Sequence, residues 1–322
     1  MNLQNFHSIT KKITVALLGG FLLIFVLFHA CANLCILRND DGAWYSAFCH
    51  FMGTNYIIKV FEVILMLTVL LHICLTVWLY FTNRAARGPV RYKHASRTKT
   101  HTGSKLMIWT GILILAALVC HFCDFYFVKM DLVEGKYMVK TEAVSDPQVN
   151  MLKEAAAHYH ATANEILDME EAQMQQYAAQ ASPDQMAQIT DELTKMRAKA
   201  SAADFMLKAE QNDMITEDGK WIKKISKEDK EMLETAFADA DVEPDFYNMA
   251  REKFKQPLIA ILYLIFFVVL WFHMRHALPS AFQTLGLNNY KYNKALDIFG
   301  EVYAWMVCLM FAAVPIVVMF LL

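Results

Sequence analysis

Hydrophobic positions along this chain are gathered into five long runs separated by polar segments. The runs cover about residues 13–36, 56–82, 106–128, 257–276 and 298–321. Each contains about 20 or more residues, and an α-helix of that length crosses a hydrocarbon core about 30 Å thick. The pattern therefore predicts five membrane-spanning helices embedded in a lipid bilayer.

A long polar segment, residues 129–255, separates the third run from the fourth. It contains 26 acidic and 16 basic residues, whereas the rest of the chain contains 6 acidic and 14 basic residues. The overall net charge of −2 therefore conceals two oppositely charged parts. We expect spanning helices 1–3 in residues 1–128, an insertion in residues 129–255, and spanning helices 4–5 in residues 256–322.

The composition of the insertion is typical of helices. Residues 145–212 are rich in Ala, Gln, Glu, Lys and Met, and Ser182 followed by Pro183 indicates a helix N-cap and a first helical position. This predicts two helices of about 30 residues each, arranged as an antiparallel hairpin. The expected fold class is an all-α membrane protein with five spanning helices and a large helical insertion between the third and the fourth. The first four spanning helices would form a bundle, and the fifth would be peripheral to it.

Further along the insertion, short polar signals mark another turn and another helix. Asp218-Gly219 is a turn signal. Ser226, with Asp229 three residues later, resembles a capping box before a helix over Glu231–Ala240. The insertion contains no nucleotide-binding loop and no nucleophile arrangement in its sequence.

Basic side chains are concentrated in the loops on one predicted side of the membrane. The loop 84–105 carries seven of them, and Lys11 and Lys12 precede the first helix. The loop 37–55 on the opposite side carries one, Arg38. The positive-inside rule then predicts a cytoplasmic N-terminus, with the insertion outside the cytoplasm.

One histidine lies inside each of the first four hydrophobic runs: His29, His72, His121 and His273. Each is about 15 or 16 residues into its run, which corresponds to about 23–24 Å. Because successive helices run in opposite directions, His29 and His121 would lie near the outer face, and His72 and His273 near the inner face. Two pairs at two heights predict two stacked bis-histidine haems. A single zinc site would need all four histidines at one height.

Two further residues extend this hypothesis. His276 shares the helix face of His273, and either replaces it as an iron ligand or binds a haem propionate. Glu62 either handles protons for a quinone or is an interfacial carboxylate that reaches water.

No Cys-x-x-Cys-His sequence occurs, which argues against covalently attached haem. A haem-free transporter or sensor with an extracytoplasmic helical domain remains the alternative from another class.

Several segments of the chain carry a family resemblance. They are S-I-T-K-K through F-H-A-C-A-N at 8–33, S-A-F-C-H-F-M at 46–52, F-E-V-I-L-M-L-T-V-L-L-H at 61–72, W-T-G-I-L-I-L-A-A-L-V-C-H at 109–121 and F-H-M-R-H-A-L-P-S-A-F-Q-T-L-G at 272–286. Together they resemble the five-helix, dihaem cytochrome b membrane anchor of succinate dehydrogenases and quinol:fumarate reductases. The resemblance does not extend to the insertion, since the family usually joins helices three and four by a short segment.

The resemblance implies two haem b groups, one held by the first and third helices and one by the second and fourth. It favours His273 over His276 as ligand, and Glu62 matches a position that is acidic in similar chains. Menaquinone is the implied substrate. Ser8, Lys11 and Arg97, in or beside the basic inner segments, are candidates for binding haem propionates.

The resemblance also implies partners. A flavoprotein subunit and an iron–sulfur subunit would dock on the cytoplasmic side and carry out the dicarboxylate chemistry, and the complex could dimerise. No nucleic-acid partner is expected. The alternative within the class is a dihaem quinone-reactive subunit of a different respiratory dehydrogenase or reductase. The insertion would either shield the outer quinone region or dock another protein.

Overall fold

The computed structural model describes residues 8–88, 102–168, 183–237 and 240–321. Within this part, the chain forms two compact units. Unit 1 comprises the described residues of Met1–Arg38, Phe51–Phe122 and Arg251–Leu322, and unit 2 comprises those of Asn39–His50 and Cys123–Ala250.

The helices of nine residues or more, as far as the structure describes the chain, are numbered here in chain order. They are α1 (Ser8–Leu34), α2 (Ala43–Thr54), α3 (Tyr56–Arg87), α4 (Thr102–His121), α5 (Pro147–Tyr159), α6 (Pro183–Gln211), α7 (Lys227–Ala236), α8 (Phe246–Phe254), α9 (Pro257–Thr284) and α10 (Asn293–Phe320). The strands are β1 (Tyr137–Lys140), β2 (Trp221–Ile225) and β3 (Glu243–Pro244).

Five helical segments are long and apolar enough to cross a membrane, as the hydrophobic pattern predicts. They are Ile9–Leu37, Tyr56–Arg87, Leu106–Lys129, Pro257–Thr284 and Asn293–Leu321. The third is not a uniform α-helix, because a π-helical turn, Phe122–Tyr126, follows α4 directly after His121. The predicted multi-pass membrane character is therefore confirmed, by the length and composition of these helices.

In unit 1, helix α9 packs against α10, α4 and α1, and α1 also packs against α3 and α10. The expectation of a peripheral fifth helix is wrong, because α10 packs closely against both α9 and α1. Gly300 on α10 allows the close approach to α9, since a Cβ at that position would lie 2.9 Å from Cδ of Pro279. The hydroxyl of Tyr303 also donates a hydrogen bond to the carbonyl of Leu23 on α1.

Unit 2 contains a small antiparallel sheet with the strand order β2-β1-β3. This corrects the prediction of a purely helical insertion. The strands are short, and β2 has the sequence W-I-K-K-I, in which Lys223 is buried and Lys224 has a positive φ of 61°. Such a strand lacks the alternation of polar and apolar residues that would reveal it in the sequence.

The helices of unit 2 follow the predicted signals in part. The predicted length of the first long helix is wrong. Helix α5 begins after the N-cap Asp146 and ends at Tyr159, because His160 adopts the left-handed conformation (φ 52°). The second prediction is confirmed, since α6 begins at Pro183 and has 29 residues. The capping residue Ser226 is confirmed as well, but α7 begins immediately after it and ends at Ala236.

The segment Asn39–His50, which connects the first two spanning helices, folds as part of unit 2. The buried ammonium of Lys223 binds both the carboxylate and the backbone carbonyl of Asp41. The ring of Tyr247 packs directly against Gly42. A chain segment far from the insertion in sequence is therefore held against it by an ion pair and a close aromatic contact.

Candidate functional site

His29 on α1 and His121 on α4 lie side by side in unit 1. Their ring centroids are 5.8 Å apart, and the ring planes meet at 80°. Phe25 stacks on the His29 ring at 5.5 Å, and Phe311 on α10 lies 5.8 Å from it. The first histidine pair predicted from depth along the helices is thus brought together, in an aromatic surrounding.

The second predicted pair consists of His72 on α3 and His273 on α9. Each ring faces a glycine on a neighbouring helix. A Cβ added to Gly19 on α1 would lie 3.4 Å from Cε1 of His72, and one added to Gly111 on α4 would lie 3.8 Å from Cε1 of His273. The backbone of α1 and α4 therefore approaches both imidazoles without an intervening side chain.

The two rings of the second pair differ in their hydrogen bonds. Nδ1 of His273 lies 3.1 Å from the hydroxyl oxygen of Thr110 on α4. Nδ1 of His72 is buried without a hydrogen-bond partner among the described residues, while the His72 ring contacts the backbone of Val15. An unpartnered polar atom in an apolar interior is costly, so its retention calls for an explanation.

Sequence reasoning missed four residues that contact the histidines: Asn33, Thr110, Gly19 and Gly111. The amide nitrogen of Asn33 lies 3.4 Å from the ring nitrogens of His29 and donates to the His29 carbonyl at 2.8 Å. A signal existed for Asn33, which is a polar residue one helical turn from a candidate ligand. The glycines and Thr110 carry no signal in one sequence, because small residues are common in spanning helices.

The residues predicted to bind haem propionates or to handle quinone protons lie on several helices or outside the described residues. Lys11 on α1 places its ammonium 4.6 Å from the ring centroid of Trp78, six residues beyond His72 on α3. His276 interacts electrostatically with His273. Glu62 is partly buried on α3. Ser8 begins α1, and neither its side chain nor any part of Arg97 belongs to the described residues.

Within the described residues, no group of three or more His, Cys, Asp or Glu side chains could hold a metal ion. The histidines are instead arranged as pairs in apolar helices, and a neutral imidazole can offer one lone pair to a metal. A comparison with protein-family models, curated proteins and solved structures found no match to this chain. A functional assignment therefore depends on the residues themselves.

Proposed function

We propose that this chain is the dihaem cytochrome b membrane anchor of a succinate:quinone oxidoreductase. It would carry electrons between an iron–sulfur subunit and a membrane quinone. The observation that carries the proposal is the contact between the rings of His29 and His121, and His72 with His273 is the second proposed pair. Depth along the hydrophobic runs predicts the same pairs independently of the coordinates.

The residues around both pairs fit a bis-histidine haem. The ring centroids of His29 and His121 are 5.8 Å apart, so both imidazoles would be placed to offer a nitrogen to one iron. The buried Nδ1 of His72 has no partner among the described residues, and a cofactor bound beside it would account for that.

The chain itself would bind and position the cofactors. The four imidazoles would ligate two haem b groups, and each haem would supply a one-electron carrier within the membrane. Phe25 and Phe311 pack against the ring of His29 and give it an apolar surrounding. The ammonium of Lys11 lies beside Trp78 near the start of α1, where it would neutralise a haem propionate. Ser8, Arg97 and His276 are the other proposed propionate-binding residues.

Proton transfer would accompany electron transfer at the quinone, which we propose to be menaquinone. Glu62 is the proposed proton-handling residue, because a partly buried carboxylate within a spanning helix can exchange protons next to an apolar substrate. Glu62→Gln should then lower quinol turnover at least tenfold. It should leave both haems in place, and unchanged turnover would remove this role.

The proposal includes a topology and partners. The basic loop 84–105 would face the bacterial cytoplasm and dock the flavoprotein and iron–sulfur subunits, and unit 2 would lie outside the cytoplasm. Complexes of this kind could dimerise. Unit 2 would shield the outer quinone region, as a folded domain with its own hydrophobic core.

A reduced-minus-oxidised absorption spectrum of the purified full-length protein tests the proposal directly. Two b-type components in redox titration are expected, and the absence of a b-type α-band would overturn the haem assignment. Affinity purification from mildly solubilised membranes should then retain a flavoprotein and an iron–sulfur protein with succinate or fumarate activity. Retention of a different dehydrogenase or reductase would be consistent with haem binding, but it would overturn the assignment to a succinate:quinone oxidoreductase.

A further inference from the structure

We propose that Thr110 fixes the proton of His273 on Nδ1, and so leaves Nε2 as the nitrogen that binds iron. This inference rests on the proposed dihaem function and adds a positioning residue to it. Thr110 itself would touch neither the iron nor the quinone, and would act through His273.

The hydroxyl of Thr110 has a single proton to donate, and two backbone carbonyls lie within reach of it. Its oxygen lies 3.2 Å from the Leu106 carbonyl and 3.1 Å from the Met107 carbonyl, in the preceding turn of α4. Helical threonines commonly donate to these carbonyls, which can only accept. The hydroxyl proton is therefore used by the backbone of α4.

A lone pair of the same oxygen then remains for His273. Nδ1 of His273 is 3.1 Å away, and a hydrogen bond to an oxygen whose proton is already engaged requires the hydrogen on Nδ1. A neutral imidazole protonated on Nδ1 carries its free lone pair on Nε2. Thr110 is itself largely buried, at 9% exposure, so water competes poorly for this bond.

The neighbouring position on α4 strengthens this arrangement. Gly111 leaves the backbone of α4 open toward His273, with 3.8 Å between an added Cβ and Cε1 of the ring. The Thr110-Gly111 pair therefore combines a hydrogen-bond acceptor with space for the ring. A second partner that orients a metal-binding histidine also makes the imidazole a stronger electron donor, which favours the oxidised metal.

Substitution of Thr110 by valine tests the proposal, because valine has the same shape but cannot accept a hydrogen bond. Thr110→Val should raise the midpoint potential of one of the two haems and leave that of the other unchanged. Thr110→Ser should restore the wild-type value, since the hydroxyl is kept. The measurement is a spectroscopic redox titration of the full-length protein in detergent or bilayers.

Thr76→Val is the matched control. Thr76 also donates to the backbone of its own helix, at 2.8 Å to the His72 carbonyl and 2.9 Å to that of Ile73, and it lies one turn from a proposed ligand. Its hydroxyl makes no hydrogen bond to a histidine ring among the described residues. Unchanged potentials in Thr110→Val, or an equal shift in Thr76→Val, would overturn the proposal.

A measurement on the unaltered protein covers the case in which Thr110→Val does not accumulate. In histidine-labelled, reduced protein, nitrogen NMR should find Nδ1 of His273 protonated and hydrogen-bonded. An unprotonated Nδ1 would overturn the proposal. A wild-type protein without haem would instead overturn the proposed function, and this result is available before any variant is made.

Discussion

Gly19 on α1 faces the imidazole of His72 on α3, and a Cβ added to the glycine would lie 3.4 Å from Cε1 of the ring. An alanine at this position is at the limit of ordinary contact, but a larger side chain would have to displace the ring. His72 is partly buried on α3, and α3 packs against α1. The position of the second histidine pair therefore depends on the absence of a side chain at residue 19.

Gly19→Leu is expected to remove the haem proposed at His72 and His273 and to retain the haem at His29 and His121. The measurement is the haem content of the purified protein together with a redox titration. Gly20→Leu is the control, because an added Cβ there meets no atom within 4 Å. Equal haem loss in both variants would show that the helix, and not the contact with His72, is responsible.

His121→Ala is expected to remove the other haem. The imidazole of His121 lies beside that of His29, and a b-type haem deprived of one axial ligand is held weakly because it has no covalent link to the chain. Much of the component assigned to His72 and His273 should survive. His158→Ala is the control, since His158 lies on α5 in unit 2 beside Tyr159. Loss of neither component, or of both equally, would contradict the pairing.

The sequence predicts the spanning helices well, for a physical reason. A membrane-spanning helix satisfies its own backbone hydrogen bonds, so its length and polarity appear directly in the hydrophobic pattern. Depth along such helices then places His29 level with His121. The contacts of Thr110 and Gly19 depend on how helices face each other, and a single hydrophobic pattern does not determine that rotation.

Unit 2 is predicted less completely, because non-local contacts determine its fold. The strand Trp221–Ile225 is stabilised by pairing with Tyr137–Lys140, and by the ion pair of Lys223 with Asp41, 182 positions away. The early end of α5 at Tyr159 depends on His160, and a left-handed conformation is uncommon for any residue other than glycine. Local signals such as Pro183 and Ser226 are confirmed because they act within one helical turn.

Gly42→Ala is expected to destabilise unit 2 more than Gly219→Ala does. Both glycines have a positive φ, 79° and 70°, so both substitutions share a backbone cost of about 1–2 kcal/mol. Only Gly42 adds a clash, because its Cβ would lie 2.5 Å from ring carbons of Tyr247, and overpacking of this kind costs about 1–3 kcal/mol. Thermal unfolding of the full-length variants measures the difference, and equal losses of stability would contradict the predicted clash.

The contact between His50 and Glu243 predicts a pH dependence in unit 2. Nδ1 of His50 lies 2.7 Å from Oε1 of Glu243, and the carboxylate is 13% exposed. Burial raises the pKa of Glu243 above its ordinary value of 4.5, Asp241 adds to this effect, and His50 and Lys140 oppose it. A carboxyl group whose pKa is higher in the folded state stabilises the fold fully below the unfolded pKa. That contribution is lost as the pH rises through the folded pKa.

Glu243→Gln removes this titration while keeping a polar group beside His50. The stability of the wild type relative to Glu243→Gln should therefore fall as the pH is raised from about 4 toward neutrality, by about 1.4 kcal/mol for each unit of pKa difference. Thermal unfolding of both full-length proteins across this range gives the comparison. Glu231→Gln is the control, because Glu231 is exposed on α7 and its curve should run parallel to that of the wild type. A difference between wild type and Glu243→Gln that does not change with pH would show that burial of Glu243 does not shift its protonation in the folded protein.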